Sequence, residues 1–418
     1  MSEPGPSSGG DPPGALAGVR VLDLSRVLAG PWAGQTLADL GAEVIKVERP
    51  GAGDDTRHWG PPYLHDRAGR PTAESAYYLA ANRGKRSVAI DLGQAEGQAL
   101  VRDLAGRCDI LIENFKVGGL ARYGLDYATL ARLHPGLVYC SVTGFGQDGP
   151  YRDRPGYDFM IQAMSGLMSV TGEADDRPGG GPQKVGVALT DVLTGLYATI
   201  AILAALRHRD LTGAGQQIDL ALLDVQVACL ANQALNYLVS GQPPGRLGNA
   251  HPNIVPYQAF ASADGHLVVA VGNDAQFRRL CALVEQPEWA DDPRFATNAA
   301  RVVHRELLIP RLAARLVERC SDAWLAAFEQ AGIPCGPINT LDRVFADPQV
   351  RARGLQLAID RPGVGPVPGV ASPLRLGATP VSYRRPPPCL GEHTREVLQE
   401  LLGLDSVRLD ELAAGGVI

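Results

Sequence analysis

The chain has 418 residues, a formal net charge of −6 at pH 7, and hydrophobic and charged fractions of 45% and 20%. This composition is ordinary for a globular protein, and the length leaves room for two or three domains. The negative charge balance gives no reason to expect nucleic acid as a partner. Seven scattered cysteines without a C-x-x-C pair favour the reduced thiols of an intracellular protein over a disulfide framework.

Residues 1–14 are rich in Gly, Ser and Pro, so we expect a disordered N-terminal tail. The first basic residue is Arg20, and the tail therefore resembles neither a signal peptide nor an Arg-rich transit peptide. These features predict a cytoplasmic protein, or a mitochondrial matrix protein whose leader has been removed. The apolar run 187–206 raises the question of a membrane span, but it contains Asp191, which favours a buried core helix and no membrane.

Strand and helix patterns alternate through the first half of the chain. The predicted strands are 19–24, 43–48, 87–92, 109–114, 137–143 and 217–222. The predicted helices are 31–40, 94–106, 158–170, 187–207 and 224–238. Strands that are continuous apolar runs between helices predict a parallel sheet covered on both faces. The expected fold class is therefore α/β, with a Rossmann-like large domain.

The pattern changes from about residue 242. Two β-like runs, 257–261 and 266–271, flank Asp264-Gly265 and predict a hairpin, and helices are expected near 274–284 and 305–318. Ser321 and Gly332 predict a helix that is capped at both ends, and Thr394 is a candidate cap for the last helices. We therefore expect a small α+β domain, 235–320, inserted between two parts of the large domain, 15–225 and 325–418.

One segment, Arg154-Pro155-Gly156-Tyr157-Asp158, places a carboxylate at the start of an apolar helix, just after a glycine-rich loop that leaves a strand. Negative charge is favoured at the N-terminus of a helix. In a pocket, such an aspartate can attack an activated acyl group and hold it covalently. The commonest role of Asp at such a place is a helix N-cap, and spacing alone leaves the choice open. Asp191, inside an apolar helix, is expected to satisfy a buried network.

Other motifs give weaker predictions. Gly144, Gly146 and Gly149 form a G-x-G-x-x-G after a strand, but loop residues follow, which favours a flexible loop near an active site over a dinucleotide site. Neither H-x-x-x-H nor H-E-x-x-H occurs to predict a metal site, and Ser165 lacks a hydrolase elbow. Basic residues at the ends of the early strands are, singly, expected surface charges. As a set they are candidates for binding the phosphates of a nucleotide-bearing carrier: Arg26, Lys46, Arg49, Arg57, Lys85, Arg86 and Arg122.

Longer motifs, in order along almost the whole chain, carry a resemblance to one family. They include G-V-R-V-L-D-L-S-R-V-L-A-G-P (18–31), A-D-L-G-A-E-V-I-K-V-E-R-P-G-x-G-D (38–54), N-R-G-K-R-S-V-A-I-D-L (82–92), S-V-T-G-F-G-Q-D-G-P (141–150) and G-I-P-C-G-P-I-N (332–339). Together with Gly156-Tyr157-Asp158, they resemble the class III coenzyme A transferases, the family of formyl-CoA transferase and carnitine CoA-transferase.

The resemblance implies a homodimer of interlocked chains, each with a Rossmann-like large domain and a small domain. It implies that Asp158 is a nucleophile, which forms an acyl-aspartyl anhydride and then an aspartyl-CoA thioester before CoA passes to an acceptor acid. The substrates are then CoA thioesters and carboxylic acids, and no metal or redox cofactor is needed. The positions that match the family's CoA contacts are Arg26, Arg49, Ile90, Asn114 and Arg122.

Further stretches are similar to the succinyl-CoA:glutarate type within this family, among them I-V-P-Y-Q-A-F (254–260). The tetraglycine lid of formyl-CoA transferase corresponds here to the stretch 248–253, from Gly248, which argues against oxalate and formyl-CoA as substrates. The resemblance therefore implies succinyl-CoA as donor and a dicarboxylate such as glutarate as acceptor. His251 or Arg57 is the hypothesised anchor for the distal carboxylate of that acceptor.

Two alternatives stay open at this point. The family also contains α-methylacyl-CoA racemases, which have Gly-His-Asp where this chain has Gly156-Tyr157-Asp158. A tyrosine is a poor base near neutral pH, because its ordinary pKa is about 10. The other alternative is a non-catalytic CoA-binding protein, which the presence of the aspartate within its whole surrounding motif disfavours.

Overall fold

The computed structural model describes residues 14–418, so the predicted tail lies outside the described residues except for Gly14. The strands of this range are β1 (Arg20–Asp23), β2 (Glu43–Glu48), β3 (Tyr63–His65), β4 (Pro71–Ser75), β5 (Lys85–Ala89), β6 (Ile110–Glu113), β7 (Val138–Thr143), β8 (Gln217–Ala221), β9 (Tyr257–Ala261), β10 (His266–Ala270), β11 (Cys335–Pro337), β12 (Gln356–Arg361) and β13 (Gly365–Val370).

The helices of the same range are α1 (Ala29–Asp39), α2 (Ala76–Leu79), α3 (Ala95–Ala105), α4 (Tyr127–Leu133), α5 (Asp158–Met164), α6 (Leu189–Thr212), α7 (Leu222–Ala228), α8 (Ala231–Ser240), α9 (Asp274–Leu283), α10 (Asn298–Val303), α11 (Arg305–Leu316), α12 (Ser321–Gln330), α13 (Leu341–Ala346), α14 (Pro348–Ala352), α15 (Thr394–Leu402) and α16 (Ser406–Ala414).

Six parallel strands form the central sheet, in the order β5-β2-β1-β6-β7-β8. This is the strand order of a doubly wound nucleotide-binding sheet, so the predicted α/β fold with a parallel sheet is confirmed. The direction of winding reverses between β1 and β6. Ligands of such sheets bind beyond the carboxyl ends of the strands at that reversal, which here follow Asp23 and Glu113.

Neighbouring residues of one strand face opposite sides of the sheet, and both sides are buried. Val21 of β1 belongs to the core under α1 and α6, whereas Leu22 belongs to the core under α3, α15 and α16. The same alternation holds for Ile110 and Leu111 of β6. Burial on both faces explains why these strands are continuous apolar runs in the sequence, and the six predicted sheet strands match to within three residues at each end.

The three helices predicted around the candidate site differ from the observed ones. The predicted helix 158–170 is confirmed at its start but is too long, because α5 ends at Met164 and Gly166 takes a left-handed φ of 93° before a short 3₁₀ turn. The predicted helix 224–238 is two helices, α7 and α8, which part near Ala231, whose φ is also positive.

The helix predicted at 187–207 is longer than expected and only partly buried. By length and composition alone α6 is able to cross a membrane, and 44% of its most apolar window is buried. Its small buried residues, Gly195, Ala198 and Ala205, lie on one side, and α6 packs against α1 and β7 there. This is the placement of a core helix.

The described residues form two compact units. The first holds the residues up to Ser165 with Gly186–Ala231 and Gln349–Ile418, and the second holds Gly166–Val185 and Asn232–Pro348. The predicted division into separate domains, 15–225 with 325–418 and 235–320, stays a prediction.

In the second unit, β9, β10 and β11 form an antiparallel sheet over a core of side chains from α9, α11 and α12. The predicted hairpin around Asp264-Gly265 is confirmed by the β9–β10 pairing. Ser321 is not the predicted cap but the first residue of α12, and its backbone N–H donates to Asp264. Likewise, in the first unit, Thr394 is the first residue of α15 and not its cap.

Candidate active site

The loop that leads to Asp158 closes on itself at two glycines. A Cβ atom on Gly144, just after β7, would lie 2.5 Å from the Cα atom of Gly156, so only glycine fits this close approach. Gly146, in the same loop, takes a left-handed φ of 92° and donates its N–H to the Thr143 hydroxyl at 2.9 Å. The glycines therefore return the chain to the end of its strand, and α5 starts there with Asp158.

Asp158 is not the N-cap of its own helix, because Tyr157 holds that position. Its Oδ1 atom instead accepts hydrogen bonds from the backbone N–H groups of Thr190, at 2.8 Å, and Asp191, at 3.4 Å, in the first turn of α6. Its Oδ2 atom accepts one from Gln162 Nε2 at 2.7 Å. A partly exposed carboxylate is thus oriented by three donors and lies at the positive end of a long helix.

Asp191 is a second carboxylate beside the first. It is 8% exposed, and burial together with the negative charge of Asp158 raises the pKa of Asp191 to about 7. The expected buried network forms around its neighbour instead, since the Thr190 hydroxyl donates to Gln226 at 2.7 Å. Among the residues 14–418, none donates a hydrogen bond to the Asp191 carboxylate.

Tyr77 is a site residue that the sequence analysis missed. Burial, with the negative charges of Asp191 and Asp158, raises the pKa of Tyr77 to about 12, so its phenol is near both carboxylates and neutral at physiological pH. Its ring meets Trp59 edge to face at 5.2 Å between ring centroids. No spacing in the sequence relates Tyr77 to either carboxylate, and only their effect on its pKa in the folded chain connects them.

A cavity of about 540 Å³ opens beyond the carboxyl ends of β1, β6 and β7, at the reversal of the sheet. Gly156, Tyr157 and Asp191, the neighbours of Asp158, lie in its wall. The charged residues of the wall are mostly cations: Arg26, Lys116, Arg122, Arg152 and Arg154, with Asp55, Asp153 and Asp191. The cavity therefore suits an anionic ligand whose reacting end lies near Asp158.

The predicted CoA-contacting residues gather at this cavity and at an adjoining one. Arg26, Asn114 and Arg122 line the first cavity. Arg26, Arg49 and Ile90 line a second one of about 400 Å³. The two cavities share three lining residues, Arg26, Asp55 and Phe115. Arg26 and Asp55 form an ion pair at 3.0 Å.

Polar contacts fix the loops that carry these residues. Asn114 accepts the backbone N–H of Arg26 at 2.9 Å and donates to its carbonyl at 2.7 Å, which joins the loops after β1 and β6. Val27 has a positive φ of 73°, a rare conformation for a β-branched residue, and its N–H donates to Asp54 at 3.2 Å. Burial tends to raise the pKa of Asp54. The charge of Lys46, which lies 2.9 Å from the Asp54 carboxylate, outweighs the effect of burial and lowers the pKa to about 2.

Part of the predicted basic cluster is not available to a ligand. Lys46 and Lys85 are fully buried, and each pairs with an aspartate. Arg86 is 3% exposed and pairs with three glutamates: Glu43, Glu396 and Glu400. These three residues do not present free charges to a phosphate as predicted, because each is buried and pairs with carboxylates of the protein itself.

Arg57, also predicted as a substrate anchor, is buried and lines neither of these cavities. It is 2% exposed, and its guanidinium bonds both carboxylate oxygens of Glu48 at 2.9 and 2.8 Å. The same group lies 3.8 Å from the ring centroid of Tyr78. Arg57 therefore holds the buried structure together and does not present its charge to a ligand.

Gly248 and His251 lie in the second unit. Gly248 has a positive φ of 57°, and a Cβ atom there would meet the Glu173 carboxylate at 2.5 Å. His251 accepts the backbone N–H of Asn253 at 3.0 Å, and burial with the charge of Arg305 lowers the pKa of His251. Their assignment to the substrate or its lid stays a prediction. No group of His, Cys, Asp and Glu that could hold a metal ion occurs within the described range.

Comparison with known proteins gives consistent matches over nearly the whole chain. A model of the CoA-transferase family III matches residues 16–394. The succinate–glutarate CoA-transferase of Agrobacterium fabrum is 54% identical over 386 residues, which are 92% of this chain and 95% of that protein. The succinyl-CoA:glutarate CoA-transferase of Mus musculus is 46% identical over 413 residues, 99% and 92% of the two chains. The crystal structure of a CaiB/BaiF family protein from Brucella suis, 51% identical, superposes with a TM-score of 0.81 over 93% of this chain and all of that one.

Proposed function

This chain belongs to the CoA-transferase family III and is a CoA-transferase, and we propose that it moves CoA from succinyl-CoA to a dicarboxylate such as glutarate. The names of the relatives at 54% and 46% identity support this choice of donor and acceptor. The observation that carries the mechanism is the Asp158 carboxylate, which three donors orient beside a basic cavity.

In the first half of the proposed reaction, a carboxylate oxygen of Asp158 attacks the thioester carbon of succinyl-CoA. The C–S bond breaks, its electron pair leaves with the CoA thiolate, and an acyl-aspartyl anhydride forms. The thiolate then attacks the aspartyl carbonyl of that anhydride. Succinate leaves, and CoA is held as an aspartyl thioester.

The second half reverses these steps with another acid. The acceptor carboxylate attacks the aspartyl thioester, which gives a new anhydride and frees the thiolate again. The thiolate attacks the acceptor carbonyl, and the products are the new CoA thioester and the Asp158 carboxylate. Each step exchanges one acyl bond for another, so no net proton, electron or metal ion is required.

The two adjoining cavities are proposed to hold CoA through Arg26, Arg49, Ile90, Asn114 and Arg122. The arginines suit the phosphate groups of CoA, and Asn114 fixes the loop that carries Arg26. Phe115 supplies apolar surface in the second cavity, which Ile90, only 1% exposed, also lines. His251 remains the proposed anchor of the acceptor's distal carboxylate, and Arg57 is withdrawn from that role.

We further propose a homodimer of interlocked chains, with the second unit as an inserted small domain. Exposed apolar side chains in each unit support an assembly that covers them, since a monomer rarely leaves such patches in water. In α8 they are Leu235, Leu238 and Val239, and in α6 they are Leu196, Ile200 and Leu203. A cytoplasmic location stays a prediction.

The function is tested by incubating wild type, Asp158→Ala and Asp148→Ala with succinyl-CoA and a panel of carboxylic acids. Asp148 is an exposed aspartate of the same loop that is not in the cavity wall, so its variant is the control. We expect new CoA esters, glutaryl-CoA foremost, from wild type and the control alone. Ester formation by Asp158→Ala would remove this residue from the mechanism, and no ester from any acid would refute the proposed substrates.

A further inference from the structure

Asp191 is a buried carboxylate that the mechanism above leaves without a role. It is the third residue of α6, lies in the cavity wall and is 8% exposed. Its backbone N–H and that of Thr190 both point at Asp158 Oδ1, so the two carboxylates share one helix N-terminus. Asp158 accepts three hydrogen bonds, whereas within the described residues no donor reaches the carboxylate of Asp191.

This asymmetry decides where a single negative charge resides. Two carboxylates in a shared, partly buried site resist ionising together, and the proton binds to the carboxylate whose anion is less stabilised. The donors and the helix N-terminus stabilise the anion of Asp158. We propose that Asp191 is a positioning residue that keeps a proton while Asp158 carries the charge, and that CoA transfer requires this arrangement.

The surroundings of Asp191 contain few other charges that bear on it. The helix α5, which packs against α6, presents Asp158. The phenol of Tyr77, in α2, is neutral at physiological pH, because burial and the charges of both carboxylates raise its pKa to about 12. The start of α1 carries no titratable group before Asp39. The remaining titratable groups on the elements against α6 are Tyr139, Cys140, Asp219 and Asp224. Of all these, the charge of Asp158 acts on Asp191, and with burial it raises the pKa of Asp191 to about 7.

The protonated form serves both halves of the reaction, so this inference rests on the proposed function. A neutral Asp191 leaves Asp158 as the ionised nucleophile. An ionised Asp191 would add a second negative charge near Asp158 and repel the acceptor carboxylate and the CoA thiolate. The neutral form avoids this repulsion. Each step exchanges acyl groups between oxygen and sulfur, so the proton stays on Asp191 throughout.

The test is the pH dependence of CoA transfer in wild type, Asp191→Asn and the control Asp210→Asn. Asparagine has nearly the shape of a protonated aspartate but cannot ionise. The wild-type rate is expected to fall about tenfold for each pH unit above an apparent pKa near 7. Asp191→Asn is expected to keep about a tenth or more of the wild-type kcat at pH 6 and to show no alkaline fall. Asp210, exposed at the far end of α6, should keep the wild-type profile when replaced.

An alkaline fall in Asp191→Asn like that of wild type overturns the inference, and so does complete loss of kcat in a folded variant that still binds CoA. If the variant does not fold, the pH dependence of Asp158 acylation is measured in the wild-type enzyme instead. An acylation rate that does not fall at alkaline pH overturns the inference. These outcomes are distinct from failure of the proposed function, which shows instead as transfer by Asp158→Ala.

Discussion

The Oδ1 atom of Asp158 lies 2.8 Å from the backbone nitrogen of Thr190, so the carboxylate that starts one helix binds the N-terminus of another. This contact joins the loop after β7 to the long helix α6 and sets the orientation of the carboxylate. Asp158 can therefore accept hydrogen bonds from a helix N-terminus and also act as a nucleophile. The N–H groups that stabilise the α6 terminus also orient the group proposed to attack the thioester.

Replacing Gly156 by Ala should reduce activity more than stability. The added Cβ atom would overlap Gly144 and push α5, with Asp158, away from the end of β7. Because a displacement of about 1 Å can slow catalysis by about 100-fold, we expect a loss of that order in kcat. Gly377→Ala is the matched control, since its Cβ atom meets nothing within 4 Å. Equal kinetics for the two variants would show that the close approach does not position Asp158.

Asp191→Asn should stabilise the protein at neutral and alkaline pH but not at acid pH. The folded-state pKa of Asp191, about 7, lies above its ordinary value of 3.8, so the folded state binds the extra proton between these values. Wild-type stability therefore falls as pH rises through this window, by up to about 4 kcal/mol. Asparagine avoids this loss. Chemical denaturation near pH 5 and pH 8 measures the free energy of unfolding of both proteins. A stability difference between variant and wild type that does not grow with pH would contradict the prediction.

Arg57→Ala should lower stability without a selective effect on the acceptor acid. The change leaves Glu48 buried without its bidentate partner, which typically destabilises by about 3 to 5 kcal/mol. Arg70→Ala is the control, because Arg70 is an exposed arginine paired with Asp66 at 2.8 Å. Thermal unfolding and the KM for glutarate should be measured together. A raised KM for glutarate at unchanged stability would restore Arg57 as a substrate anchor.

Arg122→Ala should weaken binding of succinyl-CoA in a salt-dependent way. Arg122 is exposed in the wall of the larger cavity, where its guanidinium can meet a phosphate. Loss of one such contact should raise the KM for succinyl-CoA about tenfold, and screening should shrink this difference at high salt. Arg395→Ala, an exposed arginine outside both cavities, provides the control. A KM ratio independent of salt would argue against a phosphate contact.

The sequence predicts the sheet well, because strands buried on both faces are unmistakable apolar runs. It also places Asp158 correctly at the start of a helix after β7. It does not predict the fate of the charged residues near the strand ends. Lys46, Lys85 and Arg57 look like surface charges in the sequence, and only the fold shows that each has a buried acidic partner.

The pairing of Asp158 with Asp191 was equally out of reach of the sequence. The two residues lie in different helices, and nothing in the spacing of the apolar run 187–206 directs its first turn toward α5. The helix predicted to continue to residue 170 stops early because Gly166 adopts a left-handed conformation, which a helical pattern of apolar residues does not reveal. Long-range contacts and backbone conformation are what the sequence pattern leaves undetermined.

The central claim is that Asp158 becomes acylated, and trapping this residue tests it most directly. Wild type is mixed with succinyl-CoA and hydroxylamine, digested and examined by peptide mass spectrometry, with Asp158→Ala and a sample without succinyl-CoA as controls. We expect a hydroxamate on Asp158 alone, formed only when succinyl-CoA is present. An enzyme that transfers CoA while Asp158 stays unmodified, or that carries the hydroxamate on another residue, would contradict the account.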